Sequence, residues 1–154
     1  MKGKPQKNVQ PTAVAVTAVR KCADAMESQA HKLAQALPGL PMDASLRTKA
    51  LELCARLKDT SGRVMFELTL LEAEVSEGKT DAGTVLRSLS GLDAAMLGVM
   101  VDATEVVDQL EYAAERDEAQ EPAFVLVIEA VGLLMQAIER AKAATGALLG
   151  DAGR

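Results

Sequence analysis

His31 is the single histidine in this chain of 154 residues. Its imidazole is the one side chain that gains and loses a proton near neutral pH without a special environment. Such a group can serve as a base, a metal ligand or a phosphoryl acceptor, and each role needs partners. A carboxylate-bridged metal site in a helical bundle needs Glu-x-x-His pairs pointing inward, and one histidine supplies no pair within a chain. Cys22 and Cys54 lie in no Cys-x-x-Cys motif and in no cluster with His31, so a metal is not expected. No Gly-x-Ser-x-Gly elbow presents a serine nucleophile. Gly78-Lys79-Thr80 ends like a phosphate-binding loop, but its first glycine would fall on Ala73 and no strand precedes it. Asp93, Glu105 and Glu129 are the carboxylates nearest to apolar faces. Glu129 is the most interesting of them: ion pairing, exposure and protonation by burial are all open to it, and an exposed position is expected. The inventory points away from catalysis: no enzyme, no catalytic residue, no metal and no cofactor is expected.

The string Ala30-His31-Lys32-Leu33 resembles the start of the phosphorylated motif of histidine-phosphotransfer domains. The resemblance covers these four residues and implies a phosphoacceptor role for His31 on an exposed helix face. Those domains continue with a lysine and then a glycine that lets the response regulator dock. Here Ala34 and Gln35 follow, and the helix ends soon after, at Pro38.

Composition bounds the partners. Aromatic residues are 2% of the chain and the net charge is −5, so stacking platforms for bases and clustered cations for phosphates are both lacking. No nucleic-acid partner is expected. The basic residues at the extreme N-terminus, Lys2, Lys4 and Lys7, read as a solvated tail. The stretch Pro11–Val19 has no Leu or Phe and runs at once into Arg20-Lys21, a poor secretory core. With two thiols expected to be reduced and partly buried, a cytoplasmic protein is expected.

The elements are legible as helices. From Ala82 the apolar positions run Val85, Leu89, Leu92, Met96, Val99, Ala103, Val106, Leu110 and Ala113, in alternating steps of three and four. That is the seam of a helix packed lengthwise on others. A second seam, Val16 to Leu37, predicts a helix from about Pro11 that is stopped by Pro38-Gly39-Leu40-Pro41. A third runs from Leu46 to Val75 behind an Asp43 cap, with its rhythm slipping by about one residue at Asp59–Gly62. A kink or stutter within one helix is the expectation there, and a break into two helices the alternative. Gly78 ends it, and Thr80 or Asp81 caps the next. After the acidic stretch Glu115–Glu121, Pro122 should push Glu121 out of the helical region and open a last helix. Its seam is Phe124, Val127, Val131, Leu134, Ile138, Ala141 and Leu148, with Val125, Ile128 and Met135 beside it. The expected architecture is all-α: an antiparallel up-and-down bundle of four long helices spanning residues 11–149, between a disordered tail at 1–10 and a frayed tail at 150–154.

Three segments carry more apolar surface than one core stripe needs: Val64–Leu71, Ala94–Val101 and Pro122–Ile138. The last is about 17 residues long, at the lower limit for crossing a bilayer, and holds Glu129 near its centre. No membrane span is expected, and a buried central helix is the simpler account. The surplus that remains fits self-association, a foreign helix or an apolar ligand. The function expected is therefore non-catalytic: a homo-oligomeric helical protein that binds a partner, as an adaptor, chaperone-like or regulatory protein. The candidate contact residues are Phe66, Leu70, Leu97, Met100, Val125 and Ile128. The alternatives are signal relay through His31 and binding of an apolar ligand or lipid surface.

Overall fold

The computed structural model describes the backbone from Gly3 to Ala152 and the side chains of residues 12–148. Four long helices follow one another: α1 (Gly3–Ala36), α2 (Ala44–Ser76), α3 (Ala82–Arg116) and α4 (Glu121–Ala152). Short 3-10 turns at Leu37–Gly39 and Glu118–Gln120 join the first pair and the last pair. Consecutive helices pack on each other and α4 closes back on α1, giving the up-and-down four-helix bundle. The α1 backbone begins at Gly3, ahead of the start set at Pro11. The tails expected at 1–10 and 150–154 fall on positions outside the described side chains.

The helix ends follow local chemistry, with two corrections. Asp81 caps α3, its carboxylate accepting from Thr84 N–H at 2.8 Å. Gly78 takes φ +70°, its N–H bonding to Val75 O and that of Lys79 to Glu74 O. This reversed turn satisfies the last carbonyls of α2 and needs a residue without a Cβ strain penalty. Asp43, in contrast, makes no side-chain cap on α2. Its backbone N–H donates to Gln120 Oε1 at 3.0 Å instead, tying the start of α2 to the α3–α4 turn. Glu121 is also helical, at φ −59° and ψ −42°, in spite of the proline after it. Its N–H is held by Glu118 O, and this turn outweighs the pre-proline preference.

The core reveals a shared irregularity. Its positions on α2 are Leu46, Ala50, Leu53, Leu57, Ser61, Val64, Leu68 and Leu71. Those on α4 are Ala123, Val127, Ala130, Leu134, Ile138, Ala141, Thr145 and Leu148. Both sets show two successive steps of four, centred on Leu57 and on Leu134. On α3 the doubled step at Leu92, Met96 and Met100 is followed by two steps of three, to Ala103 and Val106, so its rhythm recovers, and α1 keeps the alternating seam from Val16 through Ala23 and Ala30 to Leu37. Ser61 of α2 bonds to Ala23 of α1, and Arg56 of α2 pairs with Asp102 of α3. Four extra residues in a heptad rhythm locally unwind a left-handed supercoil. The slip seen in the sequence near Gly62 is thus a stutter of α2, matched by a second one on α4. α2 passes through it without a break, with Thr60 and Ser61 both turned inward. The Ser61 hydroxyl donates to Ala23 O at 2.6 Å, so this polar layer is satisfied.

Gly62 itself is exposed on the outer side of α2, and a Cβ placed there would meet nothing within 4 Å. Gly62→Ala is expected to raise stability by about 0.5–1 kcal/mol, through the lower helix propensity of glycine. A denaturant midpoint that fails to rise would show that the bundle needs Gly62 for some other contact.

Candidate functional site

The surplus apolar segments do not form a central helix. Each helix lies beside two neighbours and keeps an outer face, so the expectation of a buried central α4 is corrected. α3 and the stretch Glu118–Leu148 are both long and apolar enough to cross a membrane by length and composition. Only 33% and 28% of their apolar windows are buried in the bundle. The excess therefore points outward.

The charge of Lys142 on α4 is near enough to Asp93 on α3 to oppose the effect of burial on its carboxyl, so both residues lie toward the boundary of these two helices. Leu97 and Val101 follow Asp93 in steps of four residues, each about 40° further round α3, so the row turns from this boundary toward the outer side. Met135 and Ile128 precede Lys142 at two-turn intervals on the matching flank of α4. Because the helices are antiparallel, the two rows run side by side. Val101 is 68% exposed, and Leu97 and Ile128 are about 38% and 39% exposed, while Val131 and Met135 are half-buried between them. Val125 lies further round α4, 39% exposed, beside Pro122 and Leu126. The result is an apolar stripe along the α3/α4 face.

The other candidates separate from it. Phe66 is 66% exposed on the outside of α2. Leu70, one turn on, borders the α2/α3 groove among Arg63, Glu67, Glu74 and Arg87. They form a second, smaller apolar spot. Met100 is corrected outright: it is only 2% exposed and belongs to the core. A strict heptad reading put Val99 on the seam, but the doubled step brings Met100 inward and leaves Val99 half-buried. Val101 and Leu133 are exposed large apolar residues that were not singled out. The unbroken apolar run Ala94–Val101 held the signal for Val101, but only the true seam says which of its residues face out. On α4, Phe124 and Val131 are flank positions, whereas Ala123 and Ala130 turn inward. These small residues permit close helix approach.

The ionisable candidates have distinct surroundings. His31 is exposed on α1, in a groove of about 540 Å³ that it shares with Asp24, Glu27, Cys54 and Lys58. A phosphoryl group on His31 would meet two carboxylates of its own helix and one cation from α2. Glu105 and Glu129 are exposed. Asp93 is the buried one, at 9% exposure, and its Oδ1 has no hydrogen-bond partner. Burial raises its pKa, and Lys142 only partly opposes this. Cys22 and Cys54 are free and buried. Burial pushes the Cys22 thiol up to about 12, helped by the charge of Asp93, and the Cys54 thiol up to about 11. Neither is a thiolate nucleophile at neutral pH. Among the described residues, no three His, Cys, Asp or Glu side chains gather in a group suited to a metal ion.

No family model matches the chain, and neither does any curated protein or solved structure.

Proposed function

We propose that the protein is a non-enzymatic association module, which pairs with a second copy of itself through the α3/α4 face and uses the assembled bundle to hold a helical protein partner. The observation that carries this reading is the exposure of Leu97, Val101 and Ile128 on α3 and α4, beside Val131 and Met135, which pack against the core and are only partly covered. Contiguous apolar surface on a folded domain costs free energy in water, and covering it recovers roughly 25 cal/mol for each Å² removed. A twofold pairing fits, because one stripe of aliphatic side chains is self-complementary across such an axis. Exposed Glu105 and Glu129 lie on the same two helices and supply charge outside the dry strip, as interface rims do.

The test is a charge placed in the stripe. Val101→Lys is expected to weaken self-association at least about tenfold, a cost of roughly 1.4 kcal/mol, as read by sedimentation equilibrium. Helix content should stay unchanged, as should melting at concentrations where the wild type is monomeric, because Val101 is mostly solvent-exposed in a single bundle. Phe66→Lys, on the other side of the molecule, should leave association intact. Association that survives Val101→Lys and fails with Phe66→Lys would overturn the assignment of the face.

A further inference from the structure

Between α1 and α4 runs a groove of about 610 Å³ that the association face does not use. Its volume lies within the ~300–1,000 Å³ typical of small-molecule sites. Its lining is mostly apolar, but Lys21 of α1 and Arg140 of α4 stand on its two walls. Among the described residues no carboxylate lines it. Among the described residues neither cation takes part in an ion pair.

The other grooves differ in this respect. The α1/α2 groove has Asp24 and Glu27 in its lining beside Lys58. The α2/α3 groove has Glu67 and Glu74 beside Arg63 and Arg87. The groove at the α2/α3 end has Asp43 and Asp108 beside Arg116. A protein of net charge −5 thus holds, in one apolar groove, two cations with no carboxylate among the described lining residues.

From Lys21 the α1 wall continues one turn on to Ala25. From Arg140 the antiparallel α4 wall runs back to Ala137 and Leu133. Both helices line this part of the groove, and Cys22 lies at the start of its floor. From Lys21 to Gln29, the end of the α1 lining, is about 12 Å along the helix.

We propose that this groove binds a free medium-chain fatty acid. Its carboxylate sits between Lys21 and Arg140, and its acyl chain lies along Ala25, Ala137 and Leu133. The cations supply charge-assisted hydrogen bonds to the head group, and the small side chains leave room for the tail. The proposal is independent of the α3/α4 pairing.

Calorimetric titration of the full chain with decanoate, below its micelle concentration, tests it. Saturable one-to-one binding is expected, and laurate should bind several-fold tighter, since each buried methylene is worth up to about fourfold. The double substitution Lys21→Gln with Arg140→Gln should weaken decanoate at least tenfold while leaving binding of decanol within twofold. Both side chains are exposed, so the fold should survive. Leu133→Asp, also at an exposed position, should weaken both ligands by putting a charge in place of apolar wall beside the tail. No saturable decanoate binding would overturn the proposal, as would equal loss of decanoate and decanol in the double variant. Binding only to phosphatidylglycerol vesicles would assign the cations to a membrane surface and overturn it too. Solution mass reports separately on pairing: loss of fatty-acid binding with the oligomer intact refutes this site alone.

Discussion

Met100→Ala is expected to lower the stability of the bundle by about 2–5 kcal/mol, whereas Val101→Ala beside it should change the folding of a single bundle by less than about 0.5 kcal/mol. Met100 is 2% exposed in the core, one turn on from the fully buried Met96, and Val101 is 68% exposed. Truncating Met100 removes buried methylenes and leaves a cavity among helices whose positions are set by other contacts. Truncating Val101 removes atoms that touch water. The check is a urea or guanidinium titration of both variants at a protein concentration low enough to separate folding from association. Similar losses for the two would mean that the seam of α3 does not turn at Met96, and that the strict heptad through Val99 describes the helix better. If Val101→Ala loses stability only at high protein concentration, its missing methyls act in the assembled form.

This pair also marks how far the sequence is legible. The existence, order and approximate ends of all four helices follow from the rhythm of apolar residues and from Pro38, Gly78, Asp81 and Pro122. What the rhythm misplaces is single positions beside a doubled step. Two successive steps of four shift the seam by one residue against a fixed three-four rhythm, so one apolar neighbour is taken for the other there. On α3 that exchanges Val99 for Met100, and on α4 it exchanges Phe124 and Val131 for Ala123 and Ala130. Alanine and valine are apolar enough to fit either position, and in a core nearly without aromatic residues no large side chain marks which way a helix faces. The α3/α4 stripe was legible as a surplus but not as a face. Five of its six proposed contact residues are solvent-accessible, yet Phe66 and Leu70 lie apart from Leu97, Val125 and Ile128. The α1/α4 groove was illegible, because Lys21 and Arg140 become neighbours only when α4 closes on α1.

Asp93→Leu is expected to stabilise the protein at pH 7 by about 1–3 kcal/mol, the typical cost of a buried polar group without a partner. Asp93 is 9% exposed and its Oδ1 is unpaired. Lys142, the opposite charge drawn to it, is itself exposed, so losing that attraction costs little. The pH dependence follows from the direction of the shift. Burial holds the folded-state pKa of Asp93 above its ordinary value of 3.8. Between the two values the folded chain binds more protons than the unfolded one, so stability falls as pH rises through this window. Wild-type protein should therefore gain stability relative to Asp93→Leu as pH is lowered from 7 toward 4, and the gap between them should close. Denaturant midpoints of both proteins across that range are the measurement. A gap independent of pH, or a destabilised Asp93→Leu at pH 7, would mean that the ionised carboxylate is satisfied in the fold. Cys22 shares this surrounding, as its raised thiol pKa includes a contribution from Asp93. Removing the carboxylate should accordingly ease its ionisation.

The account rests most heavily on the claim that the outer α3/α4 stripe is covered by a second copy of the chain. Absolute mass in solution, by size-exclusion chromatography with light scattering over a wide range of concentrations, tests it most directly. Self-association predicts a defined species of at least twice 16.2 kDa that dissociates only on dilution. A monomer of 16.2 kDa at every concentration would contradict it.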